Sequence, residues 1–562
     1  MPTIIAKRLA ALRAALESVH ANAFYTTLTD AHLSEYTAEC DKFLTFLTGF
    51  TGSDAELLVT KDRAYLWTDS RYWEQADREL VDTGILVMRS GGKTVPDVKT
   101  LIATLKKDGC EPISLALDDL RTDVKTFQSL QEVADVTIAV DDSWIRSVWG
   151  DRPERVFRPL YVHHASSVSA HDKLLRLQQH LAKTNESDKA QLLLTRLDDI
   201  AWLTNLRGSD IAFNPVFLSW ALISQHEATL FLNEEVITSQ IGEHLRQAGW
   251  LTAPYDAIFD TLRELVGKKV PILAKPTDLN ARIRSLLGDC YEPYRQPVPL
   301  WKAVKTPQEI AGLKAVMKAD GAAIEAFIKE LKERLQKGER LTENDAVDIL
   351  HAKRAQIPGF IGESFGTIAA VNGNAALAHY EPKPGSGAPI VPPCVLLVDS
   401  GAHYDRGTTD TTRVWFLGDP NDFPEQDLKA LKRDYTAVYR AMRALMNATF
   451  KPGTIGKELD PIAKAPIHAI GADFGHGTGH GIGLTLNVHE TPPNISSRDR
   501  EGTVTPFEPG MIVSDEPGIY RPGRWGIRIE NMLLCVQKDK GLLGFESLTQ
   551  CAIDETLLEQ HD

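Results

Sequence analysis

At 562 residues the chain is too long for one hydrophobic core, and its length suggests about three or four domains. Hydrophobic residues make up 43% and charged residues 25%, the balance of an ordinary soluble globular protein. The net charge of −14 leaves no basic surplus to neutralise phosphates, which argues against a nucleic-acid partner, and no apolar run approaches the ~18 residues of a membrane span.

The N-terminal stretch MPTIIAKRLAALRAALESV is basic and amphipathic, a pattern shared by a mitochondrial presequence and by the first helix of a fold. It lacks a separable spacer, so it reads as a helix of the fold, and the cytoplasm is the expected compartment. Short β runs then alternate with helices: ANAFYTTL, AELLVT, AYLWTDSRYWEQA, LIATLKK and ISLALDD. DRPERVFRP, from Asp151 to Pro159, has the proline and charge content of a linker. Beyond it the theme returns. LTGFTGS (Leu47 to Ser53) matches LTNLRGS (Leu203 to Ser209) at Leu, Thr, Gly and Ser without a gap. Each follows an aspartate-led segment, DAHLSEY or DDIAWL, and precedes a β run, which suggests two copies of one α/β domain. The boundaries fall at 1–155, 156–299 and 300–562.

The third domain opens on a capping box, Thr306 to Glu309, with proline at the first helical position, followed by a long amphipathic helix. Thr342 to Asp345 starts a second helix, and Glu425 to Met446 a third. Between and after them lie four frames that put an acid or histidine beside β-rich residues: VLLVDSGAHYDRGTTDTTRVWF, FGHGTGHGIGLTLNVHE, IVSDEPGIY and GIRIENMLL. Asp399 closes one apolar run and Asp410 lies across a turn from it, so a hairpin brings two carboxylates side by side. A second hairpin pairs Glu516 with Glu530. Bare carboxylates this close repel each other unless a cation joins them. Four carboxylates with the His480 imidazole make a hard, oxygen-rich set suited to Mn²⁺, with Zn²⁺, Co²⁺ or Fe²⁺ as alternatives, and four negative charges balance two divalent ions. The six cysteines, Cys40, Cys110, Cys290, Cys394, Cys535 and Cys551, form no CxxC pair and fit buried thiols in a reducing compartment.

DSGA…GTTDTTR, GHGTGH…NVHE, DEPGIY and GIRIEN resemble the pita-bread metallopeptidases, and in particular the three-domain, cytosolic type of Xaa-Pro aminopeptidase (aminopeptidase P). The resemblance runs in order over nearly the whole chain and is closest in LDDIAWLTNLRGSD and NPVF. It implies two related creatinase-like α/β domains ahead of an α+β pita-bread catalytic domain, in which helical hairpins cover a curved antiparallel sheet. It implies that Asp399 chelates one metal, that Asp410 and Glu530 bridge both, and that His480 and Glu516 complete the other shell. A water shared by two such ions is acidified enough to supply hydroxide near neutral pH. Glu516 then passes a proton to the departing nitrogen.

By the same resemblance His379, His476 and His489 hold the substrate carbonyl and stabilise the oxyanion, and Phe365 and Val488 line a proline pocket. Arg528 stands two residues before Glu530 on the same strand face. It reads equally as an ion pair holding Glu530 or Asp410 and as a substrate contact. His403, His468 and the N-terminal histidines have no such support and read as surface residues. The GHGTGHGIG stretch also has the look of a phosphate loop, but no GxxxxGK or GxGxxG leads from a strand into a helix. The expected activity is removal of the first residue from peptides with proline second, by a homodimer carrying two Mn²⁺. The rivals are a prolidase acting on Xaa-Pro dipeptides and a non-catalytic peptide- or protein-binding module. Methionine aminopeptidase lacks the N-terminal half, and creatinase lacks the metal set.

Overall fold

A computed structural model of the protein describes residues 3–92, 94–107, 112–184 and 187–559. Cys110 lies outside the described residues. The residues group into two compact units. The first takes in the chain up to Val162, Val168–Ala212 and Val216–Val298; the second takes in His163–Ser167, Phe213–Pro215 and the chain from Pro299 onward.

The first unit holds two six-stranded mixed sheets of identical plan. In one, Ala23–Thr27 pairs antiparallel with Glu56–Thr60 and parallel with Ser114–Leu117. In the other, Gln191–Leu194 pairs antiparallel with Trp220–Ile223 and parallel with Ile272–Ala274. The outer strands repeat the same order and sense. The repeated heptapeptide marks one structural event in both. The helices Phe43–Thr48 and Leu197–Thr204 each end on a threonine whose hydroxyl donates to the carbonyl four residues back, Leu44 at 2.9 Å and Ile200 at 2.8 Å. The next residue, Gly49 (φ 78°) or Asn205 (φ 50°), turns left-handed to stop the helix. DAHLSEY is not the counterpart of DDIAWL, however: it forms turns, and the matching helix begins later, at Phe43.

The N-terminal stretch forms the helix Ile4–Glu17, which buries Ile5, Leu9, Leu12 and Leu16 in the core of the first sheet. The 151–159 linker has no regular structure, yet it is not simply solvated: Arg152 and Arg155 reach back to Asp41, at 3.7 and 3.9 Å. All five described cysteines are free; Cys40, Cys394 and Cys535 are buried, and Cys290 and Cys551 are half-buried.

His32 overturns its surface reading. It is buried against the Trp220 ring, with 3.9 Å between centroids. Nδ1–H donates to the Thr195 carbonyl at 2.9 Å, so Nε2 accepts from the Tyr255 hydroxyl at 2.7 Å. Burial pushes its pKa down to about 3. Burial, helped by Asp41, pushes the neighbouring Asp30 up to about 6. The two act in opposite senses. The unfolded chain charges this histidine below ~6.5 and the folded chain only near 3, so its contribution is whole above ~6.5 and is lost as the pH falls. The folded chain keeps the Asp30 proton up to about 6, so the Asp30 penalty is full above that and fades toward ~4. Between pH 6 and 4, the thermal midpoint of Asp30→Asn is therefore expected to fall more steeply than that of the parent, and that of His32→Asn less steeply. Parallel curves in a fluorimetric melt would contradict this.

In the second unit, Ile368–Val371, Cys394–Ser400 and Thr411–Leu417 form an antiparallel sheet covered on both faces. Val395, Leu397, Val414 and Phe416 pack on Tyr435, Val438 and Met442 of the helix Glu425–Met446. Leu396, Val398 and Trp415 pack on Phe327, Leu331 and Leu350 of the helices Pro307–Gln336 and Glu343–Arg354. Two-sided burial is why VLLV is continuously apolar rather than alternating. Both helices start on threonine capping boxes, the one at Thr306 read as such from the sequence and the one at Thr342 where the sequence placed only a helix start. A six-stranded sheet containing Gly479–Gly481, Ile512–Asp515 and Asn531–Gln537 completes the core. It packs on Leu459 and Ala463 of a helix, Gly456–His468, that carries Pro461 and Pro466 inside it.

Candidate metal centre

The two expected hairpins form, and both are interrupted where the acids stand. Asp399 lies opposite Thr412 near the end of its ladder, and Asp410 directly precedes the partner strand. The chain between them makes a small separate hairpin, Ala402–Tyr404 with Gly407–Thr408. In the other hairpin Ile512–Asp515 pairs with Asn531–Gln537, while Gly518–Arg521 pairs with Trp525–Arg528 in a sheet of their own. Glu516 and Glu530 occupy the gap. Pro517 has no N–H to continue a ladder, and the two backbone N–H groups at the break turn elsewhere. Glu516 donates to the Thr478 carbonyl at 2.9 Å and Glu530 to the Thr412 carbonyl at 3.2 Å.

His480 sits on Gly479–Gly481, between two glycines that no other residue could replace without movement. A Cβ on Gly479 would lie 1.9 Å from the Ser514 carbonyl oxygen, and one on Gly481 2.6 Å from that of Glu490. The glycines of GHGTGHGIG thus serve close backbone approach. The His480 Nδ1–H donates to the Gly481 carbonyl at 2.9 Å. Nε2 faces Asp410 Oδ2 and Glu516 Oε1, each at 3.4 Å.

Asp410, His480 and Glu530 each offer a ligand atom within 4.8 Å of the others. Asp399 Oδ1 and Glu530 Oε1 are buried with no hydrogen-bond partner. Burial raises the pKa of Asp399, and Arg528 offsets part of that rise. Burial, Asp410, Glu516 and Asp399 together push Glu530 well above the carboxylate range. Glu516 is raised by burial against the pull of His480 and Arg528. Burial would lower His480, but Asp410 and Glu516 outweigh it and carry it up to about 9. Every one of these shifts expresses a demand for positive charge. The orphaned oxygens and the inward Nε2 fit divalent cations.

Arg528 is buried, and all three of its nitrogens are engaged. NH2 donates to Asp399 Oδ2 at 2.5 Å, Nε to Thr412 Oγ1 at 3.2 Å and NH1 to the Tyr520 hydroxyl at 2.7 Å. The ion pair is thus with Asp399, rather than with Glu530 or Asp410. Thr412 Oγ1 in turn donates to Glu530 Oε2 at 2.7 Å. Tyr520, absent from the sequence reading, donates to His476 Nε2 at 2.7 Å, because His476 Nδ1–H is given to the Gly477 carbonyl. Ser514 is a further addition. Its hydroxyl accepts from the His480 N–H at 2.9 Å and donates to Glu516 Oε1 at 3.1 Å. The only advance signal for Tyr520 and Ser514 was a hydroxyl in an otherwise apolar strand beside a candidate ligand.

His476 Nδ1 lies 4.0 Å from Glu516, and the His489 ring stands edge-on to His480 at 4.4 Å. Val488, next to His489, is 1% exposed. Phe365 is half-buried, three residues before Ile368, which the ladder sets opposite Asp399. The half-buried His379 lies on the segment after Ile368–Val371, whose Glu381 carboxylate closes on Gly366. His403 overturns its surface reading. It is buried, its Nε2–H donates to the Phe213 carbonyl at 2.9 Å, and Nδ1 meets Thr408 Oγ1 at 3.0 Å. His468 is exposed beside Asp473.

Residues 311–537 match the model of metallopeptidase family M24, and residues 8–148 and 151–309 each match a creatinase/prolidase N-terminal domain. The chain belongs to metallopeptidase family M24, with two creatinase-type domains ahead of a pita-bread catalytic domain. Within the family it is similar to a probable Xaa-Pro aminopeptidase P of Laccaria bicolor, 35% identical over 98% of this chain and 86% of the relative. Aminopeptidase P2 of Arabidopsis thaliana is 33% identical over 96% of this chain and 80% of its own length. The crystal structure of an X-prolyl aminopeptidase from Caenorhabditis elegans, described as a cytosolic enzyme with a di-nuclear active site, superposes with a TM-score of 0.91. It is 29% identical and covers 99% of this chain and 92% of that one. A prolidase from Thermococcus sibiricus, 21% identical, shares the fold over 69% of this chain with a TM-score of 0.52.

Proposed function

We propose that this chain is a metallo-aminopeptidase that hydrolyses the N-terminal Xaa-Pro bond of oligopeptides at a dinuclear centre. The observation that carries the reading is the meeting of Asp410, His480 and Glu530 beside the orphaned oxygens of Asp399 and Glu530, in a chain akin over nearly its full length to Xaa-Pro aminopeptidases. Asp399, Asp410, His480, Glu516 and Glu530 hold two divalent ions, and the hard donor set favours Mn²⁺. Bound there, such ions supply Lewis acidity toward the peptide carbonyl and lower the pKa of water.

The side chains do the rest. His379 and His489 hold the carbonyl oxygen and stabilise the charge that develops on it. His476, its Nδ1–H given to the Gly477 carbonyl and its Nε2 accepting from Tyr520, stands 4.0 Å from Glu516 and fixes that wall of the substrate site. Glu516 receives a proton from the attacking water and gives it to the proline nitrogen as the C–N bond breaks. That nitrogen belongs to a tertiary amide and has no proton of its own. Phe365 and Val488 wall the pyrrolidine ring. Arg528 holds Asp399 in place and balances its charge. The domains run 1–155, 156–299 and 300–562, the active form is a homodimer, and the compartment is the cytoplasm. No helix among the described residues is long and apolar enough to cross a membrane.

A mass-spectrometric time course with Mn²⁺-loaded protein, given an Xaa-Pro-Xaa tripeptide and an Xaa-Pro dipeptide together, tests the reading. Release of the first residue from the tripeptide with the dipeptide intact is expected. Cleavage of the dipeptide alone would identify a prolidase, and survival of both a binding module.

A further inference from the structure

His379 lies on a long irregular segment. After the strand Ile368–Val371 the chain makes a 3-10 turn, Asn372–Ala376, and then runs to Cys394 with no helix and only an isolated bridge at Pro389. Such a stretch inside a compact domain holds one shape only if something outside it fixes that shape. Here the fixing group is the start of the helix Glu343–Arg354.

The Glu343 side chain is fully buried, and both its oxygens are used. Oε1 accepts from the Val371 N–H at 2.8 Å and Asn374 Nδ2 at 3.0 Å. Oε2 accepts from the Tyr380 hydroxyl and the Ala388 N–H, each at 2.7 Å. All four donors come from residues 371–388, and one belongs to the residue after His379. The backbone around Glu343 adds to the grip. Its own N–H donates to the Ala388 carbonyl at 2.9 Å, and the Ile390 N–H donates to the Leu341 carbonyl at 2.8 Å. The neighbouring Asn344 Oδ1 accepts from the Gly387 N–H at 2.7 Å, where a Cβ on Gly387 would leave only 2.5 Å.

We propose that Glu343 is a positioning residue for catalysis, holding the 371–388 segment through Tyr380 so that the His379 imidazole stands where the substrate carbonyl needs it. This rests on the reading of His379 as a substrate-facing group. Four converging donors require an acceptor on both oxygens, which a carboxylate is and a carboxamide is not. Glu343→Gln fits the same volume. Its amide nitrogen must face either the Val371 and Asn374 donors or the Tyr380 and Ala388 donors. The tyrosine hydroxyl can rotate to accept, so the second arrangement is favoured, and the Ala388 N–H is left orphaned.

The test is a double-mutant cycle in the full-length, metal-loaded protein, with Glu343→Gln, His379→Ala and the two combined. Tripeptide kcat and KM, bound metal and thermal midpoint are read for each. Glu343→Gln is expected to lower kcat by about 10- to 100-fold, the loss that a misplacement near 1 Å brings, with KM within about threefold and metal content unchanged. The combined variant should match His379→Ala within about twofold, because the only route of action has been removed. A full further loss in the His379→Ala background, or a loss that tracks metal content, would overturn the proposal alone. A His379→Ala protein with parent kcat would overturn the reading of His379 and the proposal with it. Should Glu343→Gln not fold, Tyr380→Phe in both backgrounds carries the same cycle with a smaller loss.

Discussion

Glu530→Gln is expected to abolish peptide hydrolysis and, in the same protein, to stabilise the metal-stripped fold. The side chain is 1% exposed, with one oxygen orphaned and the other held by Thr412. Burial and three carboxylates, Asp410, Glu516 and Asp399, oppose its charge. Without a cation that cost falls entirely on the fold, and the neutral amide removes it. The sign with pH follows. The folded-state pKa lies above that of the unfolded chain, so the penalty is absent below ~4.3, grows as the pH rises from there and is full only above the folded-state pKa. At pH 7.5 and without metal, the variant should melt about 2–4 °C above the parent, the shift that ~1 kcal/mol makes in a domain of roughly 150–250 residues. The gap should close as the pH is lowered. With metal the order reverses, because the parent gains the binding energy and the variant does not. Its kcat/KM should fall on the order of 10³-fold or more, as expected when a ligand of the catalytic ion is lost. Melts with and without chelator, beside elemental analysis, read all of this.

Arg528→Lys should be nearly as damaging despite keeping the charge. The guanidinium serves Asp399, Thr412 and Tyr520 through three separate nitrogens, and an ammonium is a single point on a flexible stem. The Asp399 side of the centre loosens, and the hydroxyl that sets the His476 tautomer loses its donor. Activity should drop about 10- to 100-fold, with weaker metal binding, as when a group behind a ligand is removed. Tyr520→Phe separates the two effects. It leaves Asp399 paired, so metal affinity should hold while kcat falls. Equal metal loss in both variants would contradict this division.

Much of the fold was legible because local rules and packing agree. The Thr306 capping box, the helix start at Thr342, the apolar VLLV run and the heptapeptide shared by the two N-terminal domains each leave a local mark. What was not legible depended on partners distant in the chain. The helix Gly456–His468 is concealed by Pro461 and Pro466, whose cost is met by Leu459 and Ala463 in the core. The partner of Arg528 could not be chosen by period-2 alternation, since Asp399 comes from a strand 129 residues away. His32 and His403 read as surface because their acceptors, the carbonyls of Thr195 and Phe213, are backbone atoms that no motif encodes. Glu343 is the clearest case. In the sequence it is one acid in a helix start, and only the fold brings four donors onto it.

Anomalous diffraction at the manganese edge from crystals of the Mn²⁺-loaded protein is the decisive test of a dinuclear centre on these five side chains. Two peaks are expected, with Asp399, Asp410, His480, Glu516 and Glu530 as their combined protein shell. A single peak, or ions that leave two of these side chains unliganded, would contradict such a centre.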